Sequence, residues 1–215
     1  ISRLMYRQNV TLREYALGNF GAFLHAIAKD PAMIVYLDSV QNRKGAPNEN
    51  FAREVMELFT LGEGRYSEQD VKEAARAFTG WSVEPGAGEF RFRPAFHDSG
   101  VKTVLGQSGP LDGDAVLDIL LQQDAAARFI VGKLWKEFVS PEPDTREVVR
   151  IARLFKGSGY DIGAVLRELF LSDAFWARDN RAALIKSPVD LVVGVVQAPH
   201  SDDQKMFASK AFDAI

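Results

Sequence analysis

The sequence predicts an all-α protein: a multi-helix domain of about eight helices, with one long irregular loop over about residues 82–112. Three observations carry this. Apolar residues recur at three- and four-residue intervals along most of the chain. Helix start signals stand in front of those runs, as at Ser67 and Asp161. Alternation of the strand kind is confined to EFRFRP, near residues 89–93.

Taken in order, the first helix is expected from about Thr11 to Ala28. Thr11 and Glu14 have capping-box spacing, and Leu17, Phe20, Leu24 and Ile27 make one apolar face with His25 opposite. Asp30-Pro31 restarts the chain, Pro31 suiting a first helical position, and a short helix follows over Ala32–Leu37. Residues 38–49 are polar and read as a loop. The next helix, Asn50 to Leu61, buries Phe51, Val55, Leu58 and Phe59 at i, i+4, i+7 and i+8, and Gly62 and Gly64 end it. Ser67 and Asp70 then cap a helix whose inner face is Val71, Ala74, Ala75 and Phe78. Gly80 suits a left-handed terminus, with Trp81 folding back on it.

Residues 82–112 lose the helical period and are punctuated by Gly and Pro. A loop of this length in a compact domain is usually functional or disordered. Helical patterning returns over about 113–123, 125–139, 145–157 and 161–171. Ser187-Pro188 opens a last helix, although its Val-rich body favours strand by propensity. The whole reads as a single domain over residues 1–215. The chain opens on Ile1 rather than Met, which suggests an internal piece of a longer protein.

Composition narrows the function classes. Lys+Arg 26 against Asp+Glu 29 gives a net charge of −3, so a general nucleic-acid binder, which needs a basic surface, is not expected. With Cys 0 there are no disulfides, thiolate metal sites or cysteine nucleophiles. The densest apolar run, Leu184 to Ala198, is broken by Lys186, Asp190 and Gln197 and is too short to span a membrane. No zinc helix or phosphate loop is present. Gly86-Ala87-Gly88 reads as a turn and Ser108, in GQSGP, as a loop residue. A three-histidine metal site would need His25, His97 and His200 together, on segments that do not suggest it. The sequence indicates no cofactor.

Two polar clusters stand out. In NENFAREVMELFTLG, residues 48–62, Asn50, Glu54 and Glu57 fall on one helix face beside Arg53. Two carboxylates so placed suit a hard cation or acid/base work. They equally suit a solvated face with Arg53–Glu57 pairing, with Asn48 or Asn50 as the helix cap. In FRPAFHDSGVKTVLG, residues 92–106, His97, Asp98 and Lys102 gather in the irregular segment. His97 beside Asp98 suits a ligand or proton-transfer pair; Asp98 ahead of Gly100 also suits a turn in which the carboxylate binds its own backbone.

These segments, with YSEQDVKEAARAFTGW between them, PAMIVYLD before and ARFIVGKLWKEFV after, resemble the bacterial "domain of unknown function 1800" family. The resemblance covers most of the chain and corresponds to the central and C-terminal part of longer family members. It implies a helical bacterial protein, often exported, whose genes neighbour those of a sulfatase-like family, and it brings no established reaction. The matched positions are Asn48, Glu49, Asn50, Arg53, Glu54, Glu57, Leu61, Gly62, Asp70, Arg76, Thr79, Gly80, Trp81, His97 and Lys102. Where the family tends to have His, this chain has Phe59, which neither ligates nor transfers a proton.

Two functions follow. The first is a scaffold or partner-binding module, in which the charges are structural and the long loop docks a protein partner or a further part of the chain, with oligomerisation as another outlet. The second is an enzyme, small-ligand or metal site between the 48–62 helix and the 92–106 loop. There Glu54, Glu57 and His97 would be the acid/base or metal groups, and Asn48, Glu49, Asn50, Arg53, Arg76, Trp81, Asp98 and Lys102 would hold the ligand. The absence of a complete catalytic constellation favours the first. Convergence of Glu54, Glu57 and His97 in one cleft would favour the second.

Overall fold

The computed structural model describes residues 2–197; His200 lies outside them. The fold is mostly helical, at 62% helix, with two small antiparallel hairpins. The helices are α1 (Ser2–Tyr15), α2 (Phe20–Ala28), α3 (Pro31–Tyr36), α4 (Asn50–Glu54), α5 (Glu68–Ala77), α6 (Gly113–Gln122), α7 (Asp124–Phe138), α8 (Thr145–Gly157), α9 (Ile162–Leu171), α10 (Asp173–Trp176) and α11 (Pro188–Gln197). Asp30, Ser67, Asp112, Asp144 and Asp161 each accept a backbone N–H at a helix start. The Ser67–Asp70 capping box is complete in both directions.

Two apolar centres meet along α2 and α7. One gathers Leu24, Phe51, Met56, Val71, Phe78, Trp81 and Leu117. The other gathers Phe20, Val131, Trp135, Ile151, Phe155 and Leu169. Phe51 and Phe78 touch edge-on at a 5.0 Å centroid distance, so α4 packs on α5 as its apolar stripe predicts. Trp81 stacks edge-on at 5.1 Å against Phe78, folding back past Gly80, whose φ is +86°. Gly113 opens α6 directly beneath those rings, where an added Cβ would overlap both Trp81 and Phe78.

The structure departs from the sequence reading in four places. The expected Thr11–Ala28 helix is two helices. The chain breaks at Gly18 and restarts at Asn19, whose side chain accepts the Ala22 N–H at 2.8 Å. Thr11 is therefore inside α1, donating its hydroxyl to the Arg7 carbonyl at 3.2 Å, and caps nothing.

The second departure lies in the Asn50–Leu61 helix, which turns from α to π geometry over Val55–Thr60. The Leu61 N–H reaches back five residues to the Met56 carbonyl, 2.8 Å away. The added residue per turn rotates the stripe, so Met56 is buried at 0% while Leu58, expected inside, is 47% exposed.

Third, residues 82–112 are not one loop. β1 (Trp81–Val83) pairs with β2 (Phe90–Phe92), and β3 (Lys102–Val104) pairs with β4 (Gln107–Gly109). Three-residue strands show no period, so only the β2 segment, in EFRFRP, was legible. Ser108 belongs to β4, and Gly86 and Gly88, both at positive φ, form the turn between β1 and β2.

Fourth, the β3–β4 hairpin is fastened to α5 rather than to the 48–62 helix. The Leu105 N–H binds Asp70 at 2.7 Å, and the Thr103 N–H binds Glu73 at 3.3 Å. The Val-rich end is helical, as expected.

Candidate functional site

The 48–62 segment is organised around Arg53. Its guanidinium binds both carboxylate oxygens of Glu68, at 2.8 and 2.7 Å, and also Glu49 at 3.2 Å. The Glu68 bond, outweighing partial burial, raises the Arg53 pKa above its ordinary value. Arg53 thus ties the start of α4 to the start of α5 and leaves Glu57 to another partner. The Tyr66 hydroxyl donates to Glu57 at 2.7 Å. Burial and that bond push the Tyr66 phenol up to about 12. Neither Asn48 nor Asn50 is the helix cap: that position is Glu49, which makes no capping side-chain bond, while Asn48 accepts the Asn50 N–H at 2.9 Å in a turn ahead of the helix and the Asn50 amide donates to the Leu37 carbonyl at 3.3 Å. Glu54 is half-buried and makes no side-chain hydrogen bond or ion pair among the described residues.

The 92–106 segment is organised around Arg76. Its Nε donates to Asp98 at 2.8 Å, and its terminal nitrogen to Glu73 at 2.8 Å and to the Val101 carbonyl at 3.3 Å. The Arg76 guanidinium holds the Asp98 carboxyl down at about 2. Asp98 accepts the Gly100 N–H at 2.9 Å, the turn that its position ahead of Gly100 suggested. Thr79 Oγ1 accepts the Asp98 N–H at 2.8 Å and donates to the Arg76 carbonyl at 2.6 Å. His97 Nδ1 lies 2.9 Å from the Thr79 carbonyl, which fixes that nitrogen as the donor. Lys102 is 1% exposed and donates to the Gly100 carbonyl at 2.9 Å; burial lowers its pKa. Trp81, a ligand candidate by sequence, is buried between Phe51, Phe78 and Phe90.

Two features escaped sequence reasoning. Asn42 is buried and joins three segments: it accepts the Asn48 N–H at 2.9 Å, donates to the Ala75 carbonyl at 2.8 Å, and receives the Gly80 N–H on its own carbonyl at 3.3 Å. A lone Asn in a polar loop gives no signal of this. His25 lies between two carboxylates of α6, with Nδ1 2.9 Å from Asp114 and Nε2 3.0 Å from Asp118. Lys29 reaches the same Asp114 at 2.7 Å, and its ammonium stands over the Trp81 ring at 5.6 Å. Asp114 is drawn below its ordinary pKa because Lys29 and His25 outweigh the opposing effect of burial.

Glu54, Glu57 and His97 do not share a cleft. Glu57 is held by Tyr66, one residue before the cap of α5, and His97 by Thr79, beyond its other end; the length of α5 between them is about 15 Å. None of the three lines a described cavity. No group of three or more His, Asp or Glu suited to a metal occurs among the described residues. Leu58 and Phe59 instead line an apolar hollow of about 330 Å³ with Phe23, Ile27 and Ile130. No helix among the described residues is long and apolar enough to cross a membrane.

The fold and these networks define a mostly helical protein whose motif side chains, Glu54 apart, are bonded at separate places to other parts of the same fold. The chain belongs to the DUF1800 family, described as a protein of unknown function, which matches residues 1–213. No curated protein and no solved structure matches it.

Proposed function

We propose that this protein is a non-catalytic scaffold or partner-binding module. The observation that carries the reading is the pairing of the motif charges. Arg53, Arg76, Glu57, Asp98 and His97 each spend their hydrogen bonds on other parts of the same fold, at separate places. A catalytic constellation needs such groups to face one reacting atom. The partner surface is apolar: α1 exposes Met5, Tyr6, Val10 and Leu12, and α11 exposes Val189, Leu191, Val193 and Val195. A partner protein, a second copy or a further part of the polypeptide fits such faces, and nucleic acid does not. An exported location belongs to the same proposal and rests on the family resemblance.

Two measurements test it. Light scattering on the full chain should show association, which Tyr6→Glu with Val10→Glu reduces. A thermal-shift series with divalent cations should move the unfolding midpoint little. A cation-dependent rise that Glu54→Gln, Glu57→Gln or His97→Ala abolishes would restore the ligand-site reading.

A further inference from the structure

Beside α7 lies a groove of about 420 Å³ that the motif residues do not explain. Arg65, Arg128, Lys133 and Lys136 line it, and no Asp or Glu does. All four are exposed, and none makes an ion pair among the described residues. Arg128 also borders a second cleft with Arg153 and Lys156. The one carboxylate there, Asp124, is taken by Lys156 at 2.5 Å. A chain of net charge −3 thus concentrates uncompensated positive charge on one face of α7.

The floor of this groove is built. Gly62 has φ +82°, and a Cβ there would stand 2.9 Å from the Phe129 ring, so a glycine is what lets that ring pack closely against the 62–66 turn. Lys133 stands 4.9 Å over the same ring, fixing a cation above the apolar floor. Gly132 sits inside α7, where glycine weakens a helix. A Cβ added to it would meet nothing within 4 Å. No packing constraint requires this glycine; its effect is to leave the groove floor open between Arg128 and Lys136, each one helical turn away. Lys133 also borders the apolar hollow of Leu58 and Phe59, which offers a dry neighbour to the cationic site.

We infer that the groove over Phe129 and Gly132 binds a phosphate ester whose organic body is apolar, the oxyanion resting on Arg65, Arg128, Lys133 and Lys136. Two or more cationic donors can share the oxygens of one phosphate, and a Gly-floored groove admits its close approach. The body lies on Phe129 and Val149, the partly exposed apolar side chains of the groove wall. The inference is independent of the scaffold reading, since the groove uses none of the paired motif charges.

The test is titration calorimetry of the full chain with 1-naphthyl phosphate, 1-naphthol and inorganic phosphate. A parallel arm uses sedimentation with vesicles of phosphatidylcholine with and without phosphatidylglycerol. Naphthyl phosphate should bind at least tenfold more tightly than either naphthol or inorganic phosphate, and binding should weaken as salt rises. Arg128→Glu with Lys136→Glu should lose binding tenfold or more, with circular dichroism and melting midpoint retained. Gly132→Ala should raise the melting midpoint while weakening binding, a combination that a purely structural glycine would not give. Lys72→Glu, an exposed cation on α5, is the control. Binding of naphthyl phosphate identifies a soluble ester as a sufficient ligand. Binding confined to phosphatidylglycerol vesicles and lost in the double variant assigns the same oxyanion chemistry to a lipid headgroup. No saturable binding in either arm, or binding unchanged in the double variant, overturns the inference.

Discussion

Arg76 and Asp98 meet through a 2.8 Å bond between Nε and a carboxylate oxygen, across 22 positions of the chain. That bond, with the Thr79 and Gly100 contacts of Asp98, fastens the segment between the two hairpins to the end of α5.

Breaking this pair should cost stability in a pH-dependent way. Asp98→Asn is expected to lower unfolding stability at neutral pH by about 1–3 kcal/mol, because it removes one of the two carboxylates that hold the half-buried Arg76 and leaves only Glu73. The folded carboxyl titrates at about 2, below an unfolded value of about 3.9. Its contribution is therefore complete above about pH 5 and is lost as pH falls through 4 towards 2. Urea unfolding at neutral and acid pH checks this: the gap between wild type and variant should narrow in acid.

Tyr66 behaves oppositely. Its folded pKa, about 12, lies above the unfolded value of about 10. The stability it contributes is present below pH 10 and is lost as pH rises from there to 12. Tyr66→Phe should cost about 0.5–1.5 kcal/mol at neutral pH and less in alkali. Melting curves across that range measure it.

Glu54→Ala should leave stability within about 0.5 kcal/mol of wild type. No counter-charge stands at Glu54: Lys102 binds the Gly100 carbonyl, and the neighbouring Glu57 is held by Tyr66. With no partner on Glu54, its removal strands nothing. A melting midpoint lowered by many degrees would refute this.

Lys102 offers a sharper contrast. Lys102→Met keeps the buried stem and removes the charge, so it should be neutral or stabilising; Lys102→Ala, which also empties the space, should cost about 2–4 kcal/mol. Equal losses in the two variants would mean that the ammonium, not the packing, matters.

Gly113→Ala should destabilise by about 1–3 kcal/mol, because its methyl would meet the Trp81 and Phe78 rings. Loss of the near-ultraviolet tryptophan signal would accompany it.

What the sequence disclosed was what local pattern encodes. The Ser67–Asp70 box, the Asp30-Pro31 start, the Asp161 cap and the Phe51 and Phe78 packing all follow from spacing along one helix. What stayed hidden depends on residues far apart. Asn42 joins strands of chain that no window contains together, and β3 and β4 are too short to alternate. Arg53 paired with Glu68, 15 positions away, rather than with the helix neighbour Glu57, because the close approach of α4 and α5 offers a bidentate carboxylate. His25 was read as a polar-face residue, which it is, but its two carboxylate partners come from α6.

The π turn at Val55–Thr60 acts as a phase shift in the chain. One residue in an α-helix is worth about 100° of rotation. A π turn carries one residue more than the α turn it replaces, so deleting a single residue here would restore α geometry and leave the chain after it in nearly its present direction. Leu61 and Gly62 would keep their places against the core and the Phe129 ring, and Arg53 and Glu68 their common approach. The same deletion in the regular α turn before Val55 would instead rotate all that follows by about 100°, so the π turn is where this segment absorbs a change of length.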